Sequence, residues 1–409
     1  MAGFGIGCSL DLGTFAPIGT PTQSKYSDPR TNVLAVGDSI TYGDLRGKCF
    51  LWWLMSRMRG RFNFPQITGL GTNNVQGWNM ARSGQTTTQM AARKSSIAAA
   101  CQPGDILFIM GGQNNDSSDP SSVLIDDVEE IIDACSPFVK KIVLPVPPTT
   151  SVTGTVLTRK NEFDSYFNTL DREDVLFLGD VFNGVDFSDS LVTWDGVHPT
   201  NYGAYLIAKK IEENGFDDLF EVYSGFDLSD YYDTNLLTNT DFTSGWSLSN
   251  STGVTVAQTS GSLDGATSKI LTGSGSTTSA DTFRFRRSQS SVNINSGDEL
   301  IGMLAYSLSN SAQDGPSVGV NGIQLSIYFG NVAWNNITYV PNEGRADDAT
   351  KIGPNGIVNE VMRTASENVA ANITSVTFDV QLRLDTSLTP DFRLEFSKPT
   401  LYNKTQEES

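Results

Sequence analysis

The chain has 409 residues, of which 38% are hydrophobic and 10% are aromatic, so it is long enough to form two folded domains. Its formal net charge of -18, from 28 basic and 46 acidic residues, predicts repulsion from phosphate backbones and anionic lipid headgroups. No apolar run approaches the roughly 20 residues that span a bilayer. We therefore expect neither nucleic-acid binding nor membrane insertion.

Residues 1–30 are predicted to form an arm without a core of its own. The stretch from Pro17 to Tyr26 is rich in proline, glycine and threonine, which favour turns and irregular backbone. The first residues lack both a basic start and a continuous apolar segment, so they do not resemble a secretory signal.

Residues 31–220 alternate short apolar runs with helical patterns. The apolar runs are NVLAVG, DILFIM, KKIVLPV and DVLFLG. Between the second and third runs, apolar residues recur at helical spacing: Leu124, Ile125, Val128, Ile131, Ile132 and Cys135. Apolar strands joined by helices predict a three-layer α/β domain in which helices cover both faces of a parallel sheet. Ligands of such sheets bind beyond the carboxyl ends of the strands, where Ser39 and residues 111–115 are expected.

After a linker predicted at 221–234, the composition changes to serine, threonine, glycine and asparagine. Short runs that alternate apolar with polar residues follow over 235–409: DTFRFRRS, GIQLSIYFG, SVTFDVQLRL and FRLEFSKPTLYN. Alternation of this kind is typical of strands with one buried face. Several such strands at short spacing predict an all-β jelly-roll sandwich.

The cysteines and the single histidine exclude a conventional zinc cluster. Cys8, Cys49, Cys101 and Cys135 contain no C-x-x-C pair, and His198 is the only imidazole in the chain. We expect four thiols packed as small apolar groups, with one disulfide as the alternative. No metal and no cofactor are predicted for the α/β domain.

Four short segments together contain the groups that acyl transfer needs: GDS at 37–39, ARSG at 81–84, GGQNN at 111–115 and DGVH at 195–198. The reaction requires a hydroxyl nucleophile, a base, a carboxylate that orients the base, and donors for the oxyanion. Ser39 supplies the hydroxyl and His198 the base, and Asp195 lies close enough in sequence to reach one imidazole nitrogen. The backbone N–H groups of Ser39 and Gly84 and the side-chain amide of Asn114 are candidate oxyanion donors.

These segments resemble, in order and approximate spacing, blocks I, II, III and V of the SGNH or GDSL-type hydrolases, from Asn32 to Ile211. The resemblance implies a flavodoxin-like fold for this domain. It also implies that Ser39, Asp195 and His198 form a catalytic triad, and that Ser39, Gly84 and Asn114 form an oxyanion hole.

The third block departs from the family pattern. That pattern is usually Gly-x-Asn-Asp, whereas this chain has Asn115 where the aspartate is expected. Asn114 keeps the spacing from Gly112 and is the preferred donor, with Asn115 as the alternative.

The second half resembles a carbohydrate-binding module. NLLTNTDFTSGWSLSNS at 235–251 is similar to the opening strand of carbohydrate-binding and lectin-like sandwiches, and LEFSKPTLYN to the closing strand. The resemblance implies that a sugar stacks on exposed aromatic rings, for which Trp334 and Tyr328 are the candidates, followed by Tyr339 and Trp246. Such domains often hold structural calcium, which Asp and Asn oxygens near the strand ends could ligate.

These features predict a serine esterase that removes O-acetyl or other short acyl groups from a polysaccharide, with the sandwich holding the glycan. Two other functions are compatible with part of these features. The same triad could hydrolyse lipid or aryl esters, or the chain could be a glycan-binding adhesion or receptor-binding protein with a degenerate hydrolase domain.

The start of the chain leads us to expect a virion protein of a phage tail that acts on the cell surface. The N-terminal arm would then contact other tail proteins, and the protein would be a homotrimer. A secreted extracellular esterase is the alternative.

Overall fold

The computed structural model describes residues 31–43, 49–58, 62, 79–190, 192–216, 219, 235–249, 254–263, 265–275, 282–313, 317, 319–329, 338–340, 358–363, 367–369, 371–384 and 389–407. The arm at 1–30 and the whole linker at 221–234 lie outside these residues, so the domain boundaries stay predictions.

The first half contains a parallel sheet with the strand order β1-β2-β3-β4. The strands are β1 (Val33–Gly37), β2 (Ile106–Met110), β3 (Lys140–Val143) and β4 (Val175–Phe177). They coincide with the four apolar runs of the sequence. A short segment continues the sheet beyond β1, because Met80 donates its N–H to the Ala35 carbonyl at 2.8 Å and Arg82 to the Gly37 carbonyl at 3.0 Å.

Helices cover both faces of this sheet. They are α1 (Ser39–Tyr42), α2 (Phe50–Arg57), α3 (Thr87–Ala91), α4 (Lys94–Ala100), α5 (Ser121–Ala134), α6 (Gly154–Thr169) and α7 (Asn201–Ile211). Alternate residues of β1 point to opposite cores: Val33 and Ala35 pack with α2 and α7, and Leu34 and Val36 with α5 and α6. The buried face of α5 consists of Leu124, Val128, Ile131 and Ile132. The predicted three-layer α/β arrangement is confirmed.

The second half consists of antiparallel strands in two sheets. The strands are β5 (Trp246–Ser249), β6 (Val254–Leu263), β7 (Ala266–Gly275), β8 (Thr282–Ile294), β9 (Glu299–Ser309), β10 (Val320–Phe329), β11 (Thr338–Val340), β12 (Val358–Arg363), β13 (Glu367–Asn368), β14 (Ile373–Leu384) and β15 (Phe392–Asn403). One sheet has the order β11-β10-β14-β8-β5 and the other β12-β9-β15-β7-β6, with β13 beside β9. Helix α8 (Lys404–Glu407) follows β15.

The two sheets pack face to face, as the alternating pattern predicts. Phe285 of β8 and Phe396 of β15 belong to different sheets, and their ring centroids lie 5.2 Å apart. Phe283 and Phe392 make a second such contact at 6.1 Å. The predicted all-β sandwich is therefore confirmed.

Within the described part of the chain, no helix is long and apolar enough to cross a membrane. Among the described residues, Cys49, Cys101 and Cys135 are buried thiols that form no disulfide. Cys8 lies outside the described residues, so its state stays a prediction.

Candidate active site

A sharp turn from strand to helix presents Ser39. β1 ends at Gly37, and Ser39 is the first residue of α1. A Cβ atom on Gly37 would lie 2.2 Å from Thr41 Oγ1 and 2.6 Å from the Met110 carbonyl, so only glycine permits the turn to pass this close to β2. Asp38 caps the helix, since its Oδ1 accepts the N–H of Ile40 at 2.9 Å.

A compact loop carries Asp195 and His198. A bridge between Thr193 and Pro199 closes the loop, and Trp194 donates its backbone N–H to the His198 carbonyl at 3.1 Å. Asp195 Oδ1 accepts the backbone N–H groups of Val197 at 3.0 Å and His198 at 2.7 Å. These two bonds hold the carboxylate in the orientation in which it contacts the imidazole.

The structure brings Ser39, His198 and Asp195 into one chain of hydrogen bonds. Asp195 Oδ2 lies 2.7 Å from His198 Nδ1, and His198 Nε2 lies 2.9 Å from Ser39 Oγ. A carboxylate only accepts hydrogen bonds, so Nδ1 carries the proton and Nε2 accepts from the serine hydroxyl. The imidazole and the carboxylate are about one-third exposed, at 34% and 29%, so a substrate can approach them from solvent.

Two carboxyls near the serine have opposite pKa shifts. Burial raises the pKa of Asp195, but hydrogen bonds from the backbone N–H and ring of His198 and from Val197 outweigh it, so the pKa lies below its usual value. Burial raises the pKa of Asp38 to about 6, against the opposing effects of the Ile40 N–H and the charge on His198. Asp38 is fully buried, and its Oδ2 has no hydrogen-bond partner among the described residues.

Besides Ser39, the predicted oxyanion donors are Gly84 and Asn114, which lie on two linked loops. Gly84 has a φ of 77° in an exposed turn, and nothing lies within 4 Å of a Cβ added there. Asn114 donates its side-chain amide to the Gln85 carbonyl of that turn at 3.2 Å. An amide NH₂ carries two protons, so this bond leaves the second N–H for a ligand oxygen. Arg82 ties the same turn to the end of β1.

Asn115 has a different environment from Asn114. Its Oδ1 accepts the backbone N–H of Thr87 at 3.0 Å, and its Nδ2 donates to Thr87 Oγ1 at 3.0 Å and to Asp119 Oδ2 at 3.4 Å. The buried Asn115 side chain therefore joins the start of α3 to the loop that follows β2. These bonds favour Asn114 over Asn115 as the oxyanion donor, a role that stays a prediction.

Two features of the loop around His198 were not singled out from the sequence. Thr150 donates its N–H to the Gly196 carbonyl at 3.0 Å, which ties the loop after β3 to the loop that carries the triad residues. The Trp194 ring stacks on the imidazole of His198, with centroids 5.3 Å apart and planes inclined by 18°. The sequence feature that could have pointed to Trp194 is its position directly before the aspartate of DGVH.

Three of the four sugar-binding candidates in the second half lie on described strands, and the fourth lies outside the described residues. Tyr328 is half-buried on β10, and its hydroxyl accepts from Gln381 Nε2 at 2.9 Å. Trp246 stacks on Phe285 at 5.2 Å and donates its ring N–H to the Asn239 carbonyl, so its ring belongs to the packing of the sandwich. Trp334 lies outside the described residues. Its role and that of Tyr328 in glycan binding stay predictions, as does that of Tyr339, which lies on β11.

Within the described residues, no group of three or more histidine, cysteine, aspartate or glutamate side chains is placed to hold a metal ion. The structural calcium expected for the sandwich stays a prediction.

Comparison with known proteins extends these observations. Solved structures similar to this chain include a family 3 carbohydrate esterase from Clostridium thermocellum, at 19% identity and a TM-score of 0.38, covering 46% of this chain and 97% of that one. A family 3 carbohydrate esterase from Talaromyces cellulolyticus is similar at 20% identity and a TM-score of 0.36, covering 46% and 98%.

The chain is also similar, at 10% identity and a TM-score of 0.28, to a structure described as a promiscuous carbohydrate-binding module of the β-sandwich superfamily, which covers 44% of this chain and 64% of that one. No curated protein sequence matches the chain. The family model described as GDSL-like lipase/acylhydrolase matches residues 33–211, which include all four sequence blocks and the whole parallel sheet. Residues 33–211 are therefore a GDSL-like lipase/acylhydrolase domain.

Proposed function

We propose that this domain hydrolyses O-acetyl and other short-chain esters on a carbohydrate polymer, and that the sandwich holds the polymer nearby. The observation that carries the proposal is the continuous chain of hydrogen bonds from Ser39 through His198 to Asp195, at 2.9 Å and 2.7 Å. This geometry supports a serine nucleophile with a general base and an orienting carboxylate.

The first half of the reaction transfers the acyl group to the enzyme. Ser39 Oγ attacks the ester carbonyl carbon while its proton passes to His198 Nε2. Asp195 stabilises the imidazolium that forms, and the N–H groups of Ser39, Gly84 and Asn114 are the proposed donors to the oxyanion. The intermediate then collapses: the bond between the carbonyl carbon and the sugar oxygen breaks, and His198 gives its proton to that oxygen.

The second half of the reaction returns the serine. A water molecule gives a proton to His198 Nε2 and attacks the acyl carbon, with the same donors on the oxyanion. When this intermediate collapses, the proton returns to Ser39 Oγ and the acyl group leaves as a carboxylic acid. With the ester and one water molecule as reactants, both steps balance.

The polar loops after β2 and β3 favour a small acyl group. Gln113, Thr149 and Ser151 form a polar network next to Asn114, with hydrogen bonds of 2.9 to 3.0 Å. Among the described residues, the large apolar side chains that are exposed are Phe138, Leu157 and Trp194, and of these Trp194 contacts the triad. A long acyl chain needs an apolar groove, which these residues do not form.

The second half supports a carbohydrate rather than a small-molecule ester. Its sequence resembles carbohydrate-binding modules at both ends, and it folds into two packed antiparallel sheets. A module that binds the polymer raises the local concentration of ester groups near Ser39. Asn115 gives no reason to treat the hydrolase as degenerate, because its side chain accepts the N–H of Thr87 at the start of α3 and is not a member of the triad.

Acetate release tests the proposal. Wild-type protein and Ser39→Ala are incubated with acetylated xylan and with p-nitrophenyl acetate, butyrate and octanoate. Ser165→Ala, an exposed serine in α6, is the matched control. We expect the wild type and Ser165→Ala to release acetate, with rates falling beyond short acyl groups, and Ser39→Ala to be inactive.

Equal acetate release by wild type and Ser39→Ala would refute the proposal. A rate that rises with chain length would instead assign the triad to lipid esters.

A further inference from the structure

Trp194 occupies an unusual position for so large an apolar side chain. It is 43% exposed, in the loop that also carries the polar residues Asp195 and His198. Exposed indole area is costly in water unless something else covers it during function. Its ring lies against the imidazole that takes part in the proposed chemistry, rather than in either hydrophobic core.

The backbone and the stacking both hold the indole in place. Trp194 donates its N–H to the His198 carbonyl at 3.1 Å across the closed loop. The two ring planes are inclined by only 18°, with centroids 5.3 Å apart. A ring held in one orientation before the ligand arrives loses little freedom on binding, which is what a recognition surface requires.

The proposed chemistry brings a sugar to this ring. In the first half of the reaction, His198 Nε2 must give its proton to the oxygen by which the sugar leaves. The sugar ring attached to that oxygen therefore lies beside the groups that flank the imidazole. Trp194 is the large aromatic group at that flank, and the C–H faces of sugar rings pack well on aromatic faces.

We propose that Trp194 is the platform for the sugar that carries the ester, a leaving-group subsite beside the triad. This inference rests on the proposed esterase function and deepens it. It makes the ring of the leaving group, and not only the acyl group, a determinant of specificity. The competing role is purely structural, in which the indole only steadies His198.

Two esters with the same acyl group separate these roles. Glucose pentaacetate has a pyranose ring with an acetyl group at every position, so the test does not depend on which position is attacked. Ethyl acetate has no ring. The value of kcat/KM for both is measured by acid release for wild type, Trp194→Leu and Trp194→Phe, with Phe138→Leu as the control. Phe138 is 68% exposed and lies just before β3, at the amino end of the sheet.

We expect Trp194→Leu to lower kcat/KM for glucose pentaacetate about fivefold more than for ethyl acetate. Trp194→Phe should recover about half of that loss, and Phe138→Leu should leave the ratio unchanged. An equal loss for both esters would overturn the platform and assign Trp194 to the positioning of His198. If Trp194→Leu changes kcat/KM for neither ester, the platform is also refuted. If the wild type hydrolyses neither ester, the esterase proposal itself fails and the platform fails with it.

Discussion

The buried carboxyl beneath the nucleophile gives the structure a pH dependence that can be measured. Asp38 is fully buried, one of its oxygens has no described partner, and burial raises its pKa to about 6 from the ordinary 3.8. Asp38→Asn keeps the shape and the carbonyl oxygen that caps α1 but cannot ionise. The substitution therefore removes the cost of placing a charge at this position.

The sign and size of the effect follow from proton linkage. Below pH 3.8 the carboxyl is protonated in both the folded and the unfolded chain. As the pH rises towards 6, the unfolded chain releases the proton and the folded chain retains it, so the free energy of unfolding of the wild type falls. At about 1.4 kcal/mol for each pH unit between the two pKa values, the total is about 3 kcal/mol. About 2 kcal/mol of this loss falls between pH 4.5 and pH 7.5.

Urea unfolding followed by tryptophan fluorescence at these two pH values tests the reasoning. The stability of Asp38→Asn relative to wild type should rise by about 2 kcal/mol from the lower pH to the higher. The comparison between pH values cancels any constant cost of the new amide. The control is Asp186→Asn, an exposed carboxylate whose pKa is lowered by the Ser188 hydroxyl and N–H, for which the difference should stay constant. A difference for Asp38→Asn that is equal at both pH values would refute the reasoning.

Three further predictions concern other parts of the site. Asp195→Asn should lower kcat by about 10³ to 10⁴-fold, because an amide no longer holds the required imidazole tautomer; a loss below tenfold in steady-state kinetics would contradict this role. Asn114→Ala should lower kcat by about 10² to 10³-fold without changing the midpoint of thermal unfolding. Asn115→Ala should instead lower that midpoint. A large loss of kcat in Asn115→Ala, with Asn114→Ala still active, would assign the oxyanion donor to Asn115. Gly196→Ala should reduce stability more than Gly184→Ala in thermal unfolding. Both glycines have a φ of about 80°, but only at Gly196 would the new Cβ meet a neighbouring threonine hydroxyl, at 2.4 Å; equal losses would exclude the steric contribution.

Most of the fold could be predicted because its signals are local. The four central strands are continuous apolar runs, and β8 alternates buried Phe283 and Phe285 with more exposed arginines. The edge segment beside β1 was missed because it joins the sheet through two hydrogen bonds, from Met80 and Arg82, and has no apolar run of its own.

The candidate site also has parts that local sequence predicts and parts that it does not. Asp195 and His198 lie on one short loop, so their spacing in the sequence already limits how they can meet. Ser39 could be connected to them only through a motif, since the contact spans 159 residues. The link from Thr150 to Gly196 depends on how two distant loops pack, which no local pattern of the sequence encodes. The stacking of Trp194 on His198 arises within one loop and depends on the closed path of its backbone.

Covalent labelling of the serine tests most directly whether Ser39 is a nucleophile activated by His198. The protein is treated with phenylmethanesulfonyl fluoride at pH 7.5, and the modified peptide is identified by mass spectrometry in wild type and in His198→Gln. We expect a single sulfonyl adduct on Ser39 in the wild type and a strong reduction of labelling in His198→Gln. An unlabelled Ser39, or equal labelling of Ser39 in both proteins, would contradict the proposed triad.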